Sequence, residues 1–278
     1  MLNRYKNLKL IQQLDPKSEH DQICYLMFGY EFPWDITKSL EVALMRTYCI
    51  PSISKLLNKT GEFIHRPQKR YDDTSIIITE ILKWGYDSQR GAAALQKMNS
   101  IHRRFQIANS DFLYVLSTFI YEPIRWNQRF GWRLMCENER LGNFYFWCEV
   151  GKRMDIKNIP DNYTEFEQYN LEYEKTNFVY SEDNRKVGEA TRDLFISWFP
   201  KWMSKPLKPI TYTFLDNQIL DAFGFEHPAP ILRQTVESIL KTRAKLLKFF
   251  PAKNQSAFFT DHPTHTYPQG YKISNLGP

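Results

Sequence analysis

The chain has 278 residues, with 37 Lys and Arg against 31 Asp and Glu, a formal charge of +6. With 42% hydrophobic and 24% charged residues it is not a disordered chain, and its 11 glycines show no collagen-like period. Aromatic residues make up 15%, enough to line an apolar pocket as well as a core. No run approaches the roughly 18 apolar residues of a membrane span. The opening MLNRYKNLKLIQQLD has no apolar secretory segment, so a soluble, cytoplasmic protein is expected. The basic excess is spread out rather than blocked, and no nucleic-acid partner is expected. Cys24, Cys49, Cys136 and Cys148 lack CxxC spacing and read as reduced core residues.

Taken in chain order, the pattern is helical. Asp15-Pro16 has the form of an N-cap followed by proline, which predicts a helix to about Gly29. ITKSLEVALMRTYC (36–49) places Leu40, Ala43, Leu44 and Thr47 on one face, and Pro51 opens a short helix that Gly61 stops. DTSIIITEILKWG (73–85) fits a helix better than a strand, because Ile77, Glu80, Ile81 and Trp84 follow its period. Ser88 caps QRGAAALQKMNSIHRRFQI, and Asn109 starts a helix that breaks at Pro123. Further helices fall near 136–154, 163–178, 184–199, 213–223 and 228–250, with a connector at 201–211. Hairpin signals are missing. The expectation is an all-α protein of about eight to ten helices, with an irregular tail from Pro251 packed on the surface.

Few familiar catalytic signatures are present. GxGxxG, GxxxxGK[ST], GxSxG and HExxH are all missing. His262 and His265, in the proline-rich tail, read as a solvated loop. His102 shares a helical face with Leu95, Met98 and Phe105. A buried imidazole needs a partner for at least one nitrogen, either a backbone carbonyl or a metal such as a haem iron. The sequence leaves these two open. Arg70 and Thr74 are four residues apart in RPQKRYDDT and project to one side of a helix. They form either a polar pocket or an ordinary helix start. In YEPIRWNQRFGWR (121–133), Arg125, Arg129 and Arg133 recur every four residues. Stacking on Trp and pairing with Glu122 or Glu139 is the ordinary explanation, and binding of a carboxylate is the other.

Several strings carry a resemblance: PWDITKSLEVALMRTYCIPSISKLL, TGEF, RPQKRYDDT, KMNSIHRRFQIANSDFLYVLSTF, EPIRWNQRFGWR, VGKRMDIKNIP and YPQGYKISNLGP. In this order they resemble the MpaB-like oxygenases, which belong with the latex-clearing rubber oxygenases in one broad family. The likeness runs from about Leu14 to Pro278. It implies one domain over 1–278, with 251–278 as its irregular tail, and a globin-related core that holds a b-type haem (heme b). It also implies dioxygen as co-substrate. His102 matches the family's proximal iron ligand, and Arg70 and Thr74 match its distal arginine and threonine. The rubber enzymes have a lysine where this chain has Asp73. A carboxylate cannot copy a neutral amine ligand, and Asp73 becomes a candidate proton relay instead.

The resulting expectation is a haem b-dependent oxygenase that cleaves a carbon–carbon double bond of an apolar, isoprenoid-like substrate. Its catalytic residues would be Arg70, Thr74 and Asp73, and its haem-binding residues His102, Arg70 and Thr74. A haem protein with peroxidase or monooxygenase activity, or with reversible gas binding, is the alternative.

Overall fold

The computed structural model describes residues 4–278, and no strand occurs among them. Residues 1–3, the start of the amino-terminal stretch read above, lie outside the described part. The α-helices are α1 (Lys6–Ile11), α2 (His20–Leu26), α3 (Pro33–Thr47), α4 (Pro51–Thr60), α5 (Glu62–His65), α6 (Pro67–Trp84) and α7 (Gln89–His102). They continue with α8 (Asn109–Phe130), α9 (Glu137–Arg153), α10 (Tyr163–Asn177), α11 (Glu182–Ser197), α12 (Ser204–Tyr212), α13 (Asn217–Phe223) and α14 (Pro230–Leu247). The all-α class holds. The described residues contain 14 α-helices rather than eight to ten, because pieces as short as α1, α5 and α13 carry too few residues for a readable period.

The local signals often act as read. Pro51 stands at the start of α4, and Gly61 ends it with φ +71°. The Ser88 hydroxyl accepts the Gly91 N–H at 2.9 Å and caps α7. Four expectations are corrected. Asp15 closes a turn through Lys17 N–H and Ser18 Oγ, so the helix starts only at His20 and passes into a π-turn at Met27–Glu31. The 201–211 connector is instead a short 3-10 turn followed by α12. Pro123 does not break α8, which runs through it to Phe130. The proline frees the Phe119 carbonyl, and Asn143 of α9 donates to Phe119 O at 3.4 Å and to Ile120 O at 2.8 Å.

The tail is the fourth correction. It is irregular, but it is not confined to the surface: Phe258 and Leu276 are buried in the main core.

That core gathers Ile76, Ile77 and Ile81 of α6 with Phe119 and Ile120 of α8 and Phe144, Phe146 and Trp147 of α9. A second cluster joins Met45, Tyr48 and Phe63 to Val187 of α11 and Phe223 of α13. Helices α3 and α8 pack together, as do α6 and α7. The turn between α6 and α7 is tight. Gly85 has φ +76°, and a Cβ on Gly91 would stand 1.9 Å from the Gly85 carbonyl oxygen, so side chains are excluded from both positions. This turn sets α7 against α6 and brings the end of α7 near the start of α6. No described helix is long and apolar enough to cross a membrane.

Candidate functional site

Helix α6 begins at Pro67, whose fixed φ suits the first helical position, so Arg70 and Thr74 both lie within it. The two side chains meet. The Arg70 guanidinium donates to Thr74 Oγ1, and the Thr74 hydroxyl donates to the Arg70 carbonyl at 2.9 Å. The guanidinium carbon lies 5.4 Å from the centre of the Phe63 ring. No described carboxylate forms an ion pair with Arg70, although ion pairs are common elsewhere among the described residues, from Lys38–Glu41 to Arg243–Asp35. A half-buried cation without a counter-charge is unusual and is open to an anionic or polarisable partner.

Arg70 and Thr74 line a narrow cleft, partly open to solvent, between α3, α5, α6 and α11. Its walls are mostly apolar, with Leu44, Tyr48, Phe63, Leu194 and Phe195. Glu41 is its acid. It accepts from Tyr71 Oη at 2.8 Å and from Lys38 Nζ at 2.9 Å. Burial, followed by the Glu41 charge, raises the Tyr71 hydroxyl far above its usual range. Burial also pushes Tyr48 up to about 12, with Arg70 opposing the rise.

His102 closes α7, on the helix packed beside α6. Its ring meets Phe112 edge-on at 5.3 Å. Nδ1 is buried without a hydrogen-bond partner, so the backbone carbonyl that would mark an ordinary core histidine is missing. Burial, and then the charge of Arg70, lowers the imidazole to about 4, which leaves it neutral at physiological pH. His102 is not a wall of the cleft; it lies beyond it, within reach of the Arg70 field.

Asp73 is not with them. Its carboxylate accepts from Lys69 Nζ at 2.6 Å, Tyr267 Oη at 2.5 Å and the Gly277 N–H at 2.9 Å. Its neighbour Asp72 accepts from Gln68 Nε2 at 3.0 Å and the Thr266 N–H at 2.8 Å. Both acids point to the tail, away from the cleft. The Asp73 oxygens are engaged in holding the tail, at Tyr267 and Gly277, against α6.

The arginine series is also accounted for within the fold. Arg125 pairs with Glu122 at 2.8 Å and Arg129 with Glu237 at 2.9 Å. Arg133 bridges Glu31 at 2.7 Å and Glu139 at 2.6 Å. The four cysteines are free; Cys136 is half-buried and the others buried. His262 and His265 are exposed. Sequence reasoning missed the Glu41–Tyr71 pair and the α11 wall. No local pattern points to them, because their partners are distant in the chain.

Residues 40–244 match the family model described as "ER-bound oxygenase mpaB/B'/Rubber oxygenase, catalytic domain". The chain belongs to this oxygenase family. The match takes in Arg70, Thr74, His102 and every wall of the cleft. The ER-bound oxygenase mpaB' of Penicillium brevicompactum is 28% identical over 250 residues, covering 83% of this chain and 59% of the relative. The ER-bound oxygenase mpaB of the same organism is 31% identical over 190 residues, 62% of this chain and 48% of the relative. A third relative, ER-bound oxygenase mpaB of Penicillium roqueforti, is 31% identical over 211 residues, 69% of this chain and 70% of its own length. The chain thus spans about half the length of the two P. brevicompactum oxygenases.

Proposed function

We propose that this chain is a haem b-dependent oxygenase that uses dioxygen to cleave a carbon–carbon double bond of an apolar, isoprenoid-like substrate. The reading places the site in one catalytic domain over 1–278 with a globin-related core. The observation that carries it is His102. A neutral imidazole whose Nδ1 is buried without a partner has the chemistry of a haem-iron ligand, which must be unprotonated and in water-poor surroundings.

When bound, the haem would supply the dioxygen and redox chemistry. The chain's own residues supply position and polarity. His102 would hold the group from the α7 side. Arg70 brings a fixed positive charge that no described carboxylate neutralises, and it stabilises negative charge that develops nearby. Thr74 fixes the direction of that guanidinium, because its oxygen accepts from Arg70 while its proton is held by the Arg70 carbonyl. The apolar walls Leu44, Tyr48, Phe63 and Leu194 favour an apolar substrate and keep water scarce. A scarce-water cleft also strengthens the field of Arg70.

The test is the absorption spectrum of protein purified after haem has been supplied, recorded as isolated, reduced, and reduced with carbon monoxide. A Soret band that shifts at each step is expected. His102→Ala should lose that band while its far-ultraviolet circular dichroism stays that of the parent. Normal haem binding by the variant would overturn the ligand assignment, and a colourless parent would overturn the whole reading. Labelled dioxygen then separates the reactions: alkene cleavage places one atom in each of two carbonyl products, whereas a monooxygenase places one atom in a single product.

A further inference from the structure

Helix α14 is apolar on two faces, and the fold uses only one of them. Its inner face places Val236 and Leu240 against Trp126, Phe130 and Phe214, while Ala244 is buried and Leu247 packs on the main core. Its outer face carries Ile231, Thr235, Ile239, Thr242 and Leu246 at successive three- and four-residue steps, which stack along one side of a helix, and Phe249 continues the spacing in the turn just past its end. Every one of these six side chains is exposed, Ile231 at 71% and Phe249 at 85%. Phe250 follows, also exposed. Single exposed apolar residues need no explanation, but large ones recurring with threonines along one side of the helix and ending in two phenylalanines do.

The charge beside the stripe says what covers it. Between Ser238 and Lys253 the chain has Lys241, Arg243, Lys245, Lys248 and Lys253 and no Asp or Glu. Arg243 belongs to the fold: it lies on the Trp34 ring at 3.7 Å and pairs with Asp35 at 3.0 Å. Lys241 has a loose contact with Glu237 at 3.4 Å. Lys245 and Lys248 are exposed and pair with no described carboxylate. They stand three residues, just under one turn, apart along one flank of the apolar stripe. An apolar strip with aromatic residues at its end and unpaired lysines at its side matches the interface of an anionic bilayer, where side chains enter the acyl boundary and lysines meet headgroups. A second copy packed face to face would need acids set against these lysines, and the only acid of α14, Glu237, is already paired with Arg129 and Lys241.

We propose that the outer face of α14 docks the protein on an anionic membrane surface, as a helix lying in the interface rather than crossing the bilayer. This docking is independent of haem. It places Phe249 and Phe250 deepest, at the end of the helix, with Lys245 and Lys248 at the level of the headgroups.

The experiment is co-sedimentation of the full chain with vesicles of phosphatidylcholine alone and with 30% phosphatidylserine added, at low and at physiological salt. Binding is expected only to the anionic vesicles and should weaken as salt screens the lysines. Lys245→Glu with Lys248→Glu should lower the vesicle association constant about 25-fold or more, roughly fivefold for each lysine lost. Leu246→Ser with Phe249→Ser should lower it further without changing the salt dependence. These positions are exposed, so circular dichroism and thermal unfolding should match the parent. No binding to anionic vesicles, or equal binding by the lysine variants, overturns the proposal. Light scattering gives the other decisive result: a dimer of the parent that the Leu246→Ser, Phe249→Ser variant dissolves would assign the face to a second copy instead.

Discussion

Arg70 and His102 come from adjacent helices, and the charge of the first adds to burial in holding the second neutral, at about 4. The two residues are thereby complementary. A cation that pairs with no described carboxylate stands near an imidazole whose Nδ1 lacks a hydrogen bond, and under the proposed function one bound group would meet both deficits.

The neutral His102 gives a prediction for the haem-free protein. The ring binds a proton at 6.5 when unfolded and only at about 4 when folded, so unfolding takes up a proton between these values. Its contribution is therefore complete above pH 6.5 and is lost as the pH falls toward 4, by about 3 kcal/mol in all. His102→Leu removes this term. Urea unfolding followed from pH 7 to pH 4 should show the variant losing less stability than the parent. Parallel losses would mean that the ring is protonated normally in the folded state.

Arg70→Met should separate charge from ligation. With the cation gone, the pKa of His102 should rise but stay below 6.5, because burial is the larger cause. Haem content should be retained. If the proposed function holds, turnover of the alkene substrate should fall about 10²- to 10³-fold, as for other losses of a preorganised donor. The imidazole is followed by NMR titration of ring-labelled histidine, and turnover by product analysis. Loss of haem together with activity would show that Arg70 serves binding rather than chemistry.

Asp73 yields a prediction that distinguishes its two roles. Its carboxylate holds Lys69, Tyr267 and the Gly277 N–H, so Asp73→Ala removes three bonds at a buried position. The expected cost is about 3 kcal/mol, with the tail from 264 onward becoming sensitive to protease. A proton relay would behave oppositely, losing turnover at unchanged stability. Chemical denaturation and limited proteolysis, run beside the activity assay, decide between them.

What the sequence reveals and what it hides follow one physical division. Arg70 and Thr74 could be paired from their spacing because a helix makes four-residue neighbours touch. The apolar face of His102 was readable for the same reason, and so were the ends of α4 and the start of α7. The missing partner of Nδ1 was not, since it depends on which carbonyls of other helices stay away. Glu41 and Tyr71 meet across 30 residues, and the α11 wall joins them from more than a hundred residues further on. The burial of Phe258 and Leu276 was equally hidden, because the tail is organised by acids on α6 rather than by any period of its own.

Pro123 is the sharpest case, and it supports a last prediction. Proline normally ends a helix because it removes a donor and crowds the carbonyl four residues earlier. Helix α8 continues because Asn143 reaches from α9 to both the Phe119 and Ile120 carbonyls. The continuity of α8 therefore depends on a side chain outside it. Asn143→Leu keeps the volume but leaves these buried carbonyls without the donor, at a cost of about 1–3 kcal/mol. Pro123→Ala restores the backbone N–H to Phe119, so in that background the same Asn143→Leu change should cost less. A double-mutant cycle of urea midpoints measures the coupling. Additive effects would mean that Asn143 stabilises α9 packing alone and that α8 tolerates its proline by other means.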